Sequence, residues 1–205
     1  KEAGEAAVVI TLASKFSGTY QSATIAADDY ENIYVVDSGS ATMGSGILVE
    51  LAFKLLDEGK NAEEIAAILE EEKKKIVIVA LVDTLEYLKK GGRISKTVAF
   101  AGGVLNIKPV LSVVDGEINM LGKARGSKMG NNLLVQEIDK AGGIDFSKPV
   151  LLGYSGISDA LLKKYIEDSR HIWEGNLQEV RYTTVGSVIG THAGPGAVVV
   201  AFFKN

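Results

Sequence analysis

The sequence contains no cysteine and only two histidines in 205 residues. The lack of cysteine excludes a disulfide scaffold, a thiolate zinc site, an iron–sulfur cluster and a cysteine nucleophile. It is also typical of a cytoplasmic protein, and we expect a cytoplasmic location. The histidines are His171, in a polar segment that we interpret as solvated, and His192, which lies among glycines and a proline.

Excess positive charge and long apolar runs are also lacking. The net charge is −4 at pH 7, which argues against a generally basic nucleic-acid-binding protein. The longest apolar runs, at 76–82 and 197–203, are too short to span a membrane and are predicted to be buried strands. The N-terminus lacks a signal-peptide pattern. We therefore expect no nucleic-acid partner and no integral membrane segment.

What the chain does contain is an alternation of strand and helix patterns. Strands are predicted at 6–13 and 32–38, and helices at 44–59 and 61–75, the latter with a capping box between Asn61 and Glu64. Beyond residue 82 the pattern changes. It predicts a short helix at 83–92 with Asp83 as N-cap, a helix after Arg93, a hairpin turning at Asp115–Gly116, helices at 126–142 and 158–169, and strands at 149–156 and 176–185.

This order of elements predicts an α/β protein of two domains. Residues 1–78 are expected to form the remaining part of a Rossmann-like N-terminal α/β domain. Residues 79–205 are expected to form a C-terminal α/β domain with a mixed sheet flanked by helices. Residue 1 leads directly into a predicted strand, so we expect the chain to lack a preceding N-terminal segment.

The loop "SKFSGTY" at 14–20 is the first candidate binding site. It joins a strand to a helix, a position where ligands bind in α/β sheets and where free N–H groups attract anions. Ser14, Ser17, Thr19 and the amides near Gly18 are suited to a phosphate or carboxylate. The alternative is that these hydroxyls only cap the helix.

Two further candidates for chemistry remain open. His192 precedes Gly194-Pro195-Gly196, a composition typical of a tight turn, so it is either structural or a hydrogen-bond donor to a carboxylate. A hydrolase that uses Ser17 or Ser155 with His192 is an alternative without a supporting motif. The stretch around Ser155 fails the nucleophile-elbow pattern at Ile157.

Local basic clusters stand out on an acidic chain. Lys89, Lys90, Arg93 and Lys96 form one, and Lys123, Arg125 and Lys128 form another. The helix dipole accounts for Lys89 and Lys90. It accounts less well for Arg93. An arginine on a glycine loop can bind an anion through two hydrogen bonds, which is the functional interpretation of this residue.

Three of these stretches together resemble the DegV family of bacterial fatty-acid-binding proteins. They are "FSGTYQSA", "DTLEYLKKGGRISK" with "NIKPVLSVVDGEI" and "KARG", and "THAGPGAVVVAFF", in an order and spacing that match over the whole chain. The resemblance implies two domains with a fatty acid between them, its acyl chain in an apolar tunnel. It implies a lipid-binding protein rather than an enzyme, with no cofactor besides the fatty acid ligand.

Residue roles follow from the resemblance by motif. Ser17 and Gly18 in "SGTY" and His192 in "HAGPG" are implied to bind the carboxylate, and Arg93 in "GGRIS" to contact a partner fatty acid kinase. The resemblance also implies that this kinase phosphorylates the carboxylate and that the acyl phosphate feeds phospholipid synthesis. Family members carry "DST"-type and "TSQPS"-type motifs that are missing here. Phe100 and the following "AGGVL" are candidates for the tunnel lining, and a small-anion-binding α/β protein remains the alternative without the resemblance.

Overall fold

A computed structural model describes residues 4–94 and 107–205, which form two β-sheets flanked by helices. The fold class is therefore α/β, as the sequence pattern predicts. The strands are β1 (Ala7–Thr11), β2 (Ile33–Asp37), β3 (Ile76–Leu81), β4 (Ile107–Val114), β5 (Glu117–Arg125), β6 (Leu151–Tyr154), β7 (Tyr182–Thr184) and β8 (Val198–Phe203). The helices are α1 (Thr19–Ala27), α2 (Met43–Asp57), α3 (Ala62–Glu72), α4 (Glu86–Lys90), α5 (Gly126–Lys140), α6 (Ala160–Asp168), α7 (Arg170–Trp173) and α8 (Ser187–Ala193).

The smaller sheet consists of β1 and β2, which pair in parallel. Val8 and Ile10 pack against a buried cluster to which α2 and α3 contribute. The capping box that begins α3 is confirmed, because the Asn61 side chain accepts from the amide of Glu64 and the Glu64 side chain accepts from the amide of Asn61. Local sequence thus defines the start of this helix.

The larger sheet has the strand order β5-β4-β3-β8-β6-β7. All neighbours are antiparallel except β6 and β7, so the expected mixed sheet is confirmed. The β4–β5 hairpin turns at Asp115 (φ 50°) and Gly116 (φ 69°), as predicted. Two positive φ angles in a two-residue loop match the twist of the flanking strands, and Asp-Gly is suited to them.

Helix α2 lies between the two sheets. It contacts β1 on one side and β8 and β6 on the other, and its residues Ile47 and Leu48 are fully buried. The opposite face of the larger sheet packs against α5, α6 and α7. Strand β8 is buried along its whole length, as its apolar sequence predicts.

The tip of the β4–β5 hairpin also joins the sheets. The amide of Gly116 donates to the carbonyl of Gly39 in the β2–α2 loop (3.1 Å). An exposed ion pair links Lys15 and Glu117 (3.0 Å), which adds little stability because water screens it. The loops that follow β1 and β2 are thereby held against the edge of the larger sheet.

Three local predictions were wrong. Asp83 is not an N-cap, because α4 begins at Glu86 and Asp83 pairs with Lys108 instead. The strand expected at 176–185 is limited to β7 (Tyr182–Thr184). His192 does not lie in a turn, because it occupies the last turn of α8, and the turn follows at Gly194.

Other expectations stay open. The division into 1–78 and 79–205 stays a prediction, and β3 spans that boundary. The helix expected after Arg93 lies largely outside the described residues, as do Lys96 and Phe100. Within the described ranges, none of the helices is both long and apolar enough to cross a membrane.

Candidate functional site

A cavity of about 270 Å³ lies between the loop that follows β1 and one face of the larger sheet. Its volume is close to the lower end of the range for small-molecule sites. Most of the lining residues are apolar, and they include Ile78, Ala80, Leu111, Val113, Ile118 and Val199. The polar lining residues include Ser17, Thr19, Arg93 and His192. The cavity therefore brings together three segments that the sequence singled out.

The Ser17 hydroxyl lies at the start of α1. Its Oγ is 2.7 Å from the Thr19 hydroxyl oxygen and accepts from the Thr19 amide (3.2 Å), and Gly18 is the N-cap residue. Ser17 is half-buried and lines the cavity, whereas Gly18 is exposed. Ser17 thus orders the first turn of the helix and also borders the cavity, so the two interpretations of this loop are compatible.

Asp37 anchors the loop that carries Ser17. Its carboxylate accepts from the amide of Ser14 (3.2 Å to each oxygen) and from the amide of Gly39 (2.9 Å). Burial raises the pKa of the Asp37 carboxyl, but the hydrogen bonds from Ser14 and Gly39 and the nearby charge of Lys73 outweigh burial and hold the pKa below its usual value. The ionised carboxylate therefore fixes the loop in place.

Arg93 bridges two segments of the site. Its Nη1 donates to the carbonyl of Gly91 (2.7 Å), and its Nη2 donates to the carbonyl of Phe16 (3.4 Å), directly before Ser17. The side chain borders the cavity, yet the residue as a whole is exposed. The guanidinium is therefore accessible to the solvent and next to the loop of Ser17.

His192 occupies the C-terminal end of α8 and packs against α4. A Cβ atom on Gly91 would lie only 2.0 Å from the His192 Nδ1, so the imidazole rests directly on the Gly91 backbone. Nδ1 is buried and has no hydrogen-bond partner within the described part of the chain. A hydrogen on Nδ1 would be a buried donor without an acceptor, whereas a hydrogen on Nε2 would not. In that form Nε2 is the donor.

Neither serine of the hydrolase alternative is hydrogen-bonded to His192 among the described residues. The Ser17 hydroxyl bonds to Thr19, and the Ser155 hydroxyl bonds to the backbone of Gly194 and Ala197. A serine nucleophile needs a base within hydrogen-bond reach. The geometry therefore gives the alternative no support.

The remaining candidates lie away from the cavity. His171 is exposed on α7, as predicted for a solvated histidine. The cluster of Lys123, Arg125 and Lys128 lies at the end of β5 and the start of α5 and contributes no residue to the cavity lining. Across residues 4–94 and 107–205, no group of histidine, aspartate and glutamate side chains is arranged to hold a metal ion.

Sequence reasoning missed several residues of the site. Leu88 on α4, Ile189 on α8 and Thr42 at the start of α2 all line the cavity. Thr42 has a φ of 48°, a value that is uncommon for residues other than glycine, and no sequence pattern indicates it. Helix α8 was missed because it has only seven residues, several of them β-branched. Gly194, which follows the helix, was the available sequence signal for the end of a helix.

Comparison with known proteins identifies a family whose members match this chain. A family model described as "Uncharacterised protein, DegV family" matches residues 1–205. A DegV domain-containing protein of Caldanaerobacter subterraneus is 38% identical over 199 residues, which are 95% of this chain and 69% of that protein.

Solved structures give the same result. A DegV family protein from Thermus thermophilus, described by its fatty acid binding, superposes with a TM-score of 0.84 at 30% identity and covers 98% of this chain and 72% of its own. A stearic acid-binding protein from Eubacterium ventriosum superposes with a TM-score of 0.83 at 28% identity, over 99% of this chain and 72% of its own.

Proposed function

Because the chain belongs to the DegV family, we propose that it binds a long-chain fatty acid in the cavity and presents the carboxylate to a partner fatty acid kinase. The kinase phosphorylates the carboxylate, and the resulting acyl phosphate feeds phospholipid synthesis. In this proposal the protein is not an enzyme, is bacterial and works in the cytoplasm. Ser17, Gly18 and His192 hold the carboxylate, and Arg93 contacts the kinase.

The observation that carries the proposal is the composition of the cavity. Most of its lining residues are apolar, and those of β3, β4 and β8 form one side of it. Ser17, Arg93 and His192 also line the cavity, and Arg93 hydrogen-bonds to the residue that precedes Ser17. A small anion would gain no favourable contact from the apolar lining residues. A fatty acid matches both the apolar and the polar lining residues. Its acyl chain suits the apolar ones, and its carboxylate needs the polar ones because a buried carboxylate is costly unless donors surround it.

The structural relatives support the same ligand class. The Thermus thermophilus and Eubacterium ventriosum proteins are described as binding fatty acids, the latter stearic acid. Both share the fold over nearly the whole of this chain. The transfer of that ligand class to this chain is our proposal.

The exposure of Arg93 supports the presentation step. A residue that borders the cavity and faces solvent is accessible to a second protein at the point where the carboxylate is expected. An arginine there suits an acidic or phosphate-bearing partner surface, since the guanidinium binds such groups with two parallel hydrogen bonds.

Mass spectrometry of an organic extract tests ligand binding. The full-length protein, purified from bacteria without detergent, is expected to carry close to one fatty acid per chain. A filled-cavity variant, Ala80→Phe, is the matched control and should carry much less while remaining folded. Absence of fatty acid from the folded, full-length wild-type protein would contradict the proposal.

A coupled assay tests presentation. A fatty acid kinase, ATP and the loaded protein should yield acyl phosphate, trapped as the hydroxamate, at a rate that depends on the concentration of the loaded protein. The same kinase with free fatty acid should yield little. Equal product with and without the protein would remove the presentation step from the proposal and leave only binding.

A further inference from the structure

Ser155 is a buried serine that the hydrolase alternative names as a nucleophile without a supporting motif, and its contacts indicate another role. It follows the last residue of β6 and is only 2% exposed. Its hydroxyl donates to the carbonyl of Gly194 and accepts from the amide of Ala197 (3.0 Å). One side chain thus satisfies a backbone acceptor and a backbone donor of the turn at 194–197.

The backbone of Ser155 binds the same turn. Its amide donates to the carbonyl of Ala197 (3.1 Å), and its carbonyl accepts from the amide of Gly196 (2.8 Å). Including the two side-chain bonds, Ser155 is hydrogen-bonded to three of the four residues of this turn. A segment held by that many short contacts has little freedom to shift relative to β6.

This turn begins at Gly194, two residues after His192. Gly194 ends α8, with its amide bonded to the carbonyl of Gly190 and its φ at 73°. A Cβ atom on Gly194 would lie 2.3 Å from the Tyr87 ring, so this end of α8 is packed tightly against α4. The imidazole of His192 thus rests on the Gly91 backbone, and the helix end that carries it leads into a turn fixed by Ser155.

We infer that Ser155 is a positioning residue for His192: its hydroxyl fixes the end of α8 and thereby the direction of the imidazole. The effect on the fatty acid rests on the proposed function, whereas the effect on His192 does not. Ser155 itself does not line the cavity, so it acts on the cavity through the residues that it holds in place, His192 and the lining residue Ala197.

NMR of the full-length protein labelled with ¹⁵N-histidine tests the inference without ligand. In Ser155→Ala the His192 ring signals should move or broaden, while those of exposed His171 stay in place and serve as an internal reference. Ser155→Thr, which keeps the hydroxyl, should restore the His192 signals. The release rate of a ¹³C-carboxyl-labelled fatty acid should rise about 2- to 12-fold in Ser155→Ala, the range of one neutral hydrogen bond.

Ser169→Ala is the matched control. Ser169 is also fully buried, and its hydroxyl likewise donates to a backbone carbonyl, that of Tyr165 (2.6 Å), and accepts from Trp173 Nε1 (2.9 Å). Its loss should lower the melting temperature but leave His192 and fatty acid release unchanged. If Ser155→Ala does not fold, Ser155→Cys takes its place with the same criteria.

Each result has a distinct meaning. His192 signals that stay unchanged in a folded Ser155→Ala protein would overturn the inference. Signals that move equally in Ser169→Ala would also overturn it, because the effect would then be general destabilisation. If the wild-type protein binds no fatty acid but the His192 signals move as expected, the positioning role stands and the proposed function fails.

Discussion

The imidazole of His192 lies directly on the backbone of Gly91, with no room for a side chain between them. Gly91→Ala should therefore push the imidazole out of place and weaken fatty acid binding. If the hydrogen bond to the carboxylate is lost, the Kd should rise about 12- to 150-fold, the range expected for a hydrogen bond to a charged group. Competition of a fluorescent fatty acid with an unlabelled one measures this change.

Gly190→Ala is the control for that variant. Gly190 lies in the same helix as His192, and a Cβ atom there would meet open space. The substitution should leave the Kd unchanged and stabilise the helix by about 0.5–1 kcal/mol. Equal weakening by both alanines would show that the Gly91 contact has no special role.

His192→Ala should weaken retention of the carboxylate by about 1.5–3 kcal/mol, because a hydrogen bond to a charged group is lost. The dissociation rate measured by stopped-flow transfer of the fatty acid to vesicles should rise accordingly. His171→Ala serves as the comparison, since His171 is exposed on α7. An unchanged rate in His192→Ala would exclude His192 from the carboxylate site.

Arg93→Ala should retain fatty acid binding and lose productive contact with the kinase. The side chain donates only to backbone carbonyls within the described ranges, and the carboxylate is assigned to Ser17, Gly18 and His192. The coupled assay should show the rate falling at least about tenfold, the effect of roughly 1.4 kcal/mol. Lys89→Ala, which removes a nearby exposed charge, should have little effect. Loss of fatty acid from Arg93→Ala would contradict its assigned role.

The Asp37 carboxylate should make stability depend on acid pH. Because its pKa is lower in the folded protein than its usual value, the stabilisation is fully present above about pH 3.9 and is lost as pH falls through the folded pKa. Asp37→Asn should be about 1–3 kcal/mol less stable at pH 7. Urea unfolding at several pH values measures both effects.

In that experiment the difference between wild type and Asp37→Asn should shrink as the pH is lowered below 3.9. Asp29→Asn, a substitution of an exposed aspartate, is the control and should unfold like the wild type at every pH. A difference between wild type and Asp37→Asn that stays constant from pH 7 to pH 3 would contradict the role assigned to the carboxylate.

Elements with strong local signals could be predicted from the sequence. The capping box at Asn61 and the hairpin turn at Asp115–Gly116 depend on a few neighbouring residues, and both are confirmed. The buried strand β8 was predicted from its continuous apolar sequence alone. In these cases local propensity and tertiary packing favour the same structure.

Features that depend on tertiary contacts could not be predicted. Helix α8 is too short to show an apolar period, so His192 was placed in a turn. The role of Ser155 depends on hydrogen bonds to residues about 40 positions away in the chain, Gly194 and Ala197. The resemblance selected Ser17, Arg93 and His192, and the structure places all three around one cavity. Their roles there remain predictions.

The most direct test of the account is a crystal structure of the full-length protein loaded with a long-chain fatty acid. We predict continuous, unbranched electron density along the face formed by β3, β4 and β8. Its polar end should lie within hydrogen-bond distance of Ser17 Oγ and His192 Nε2. Density that lies outside this cavity, or whose polar end points away from both residues, would contradict the account.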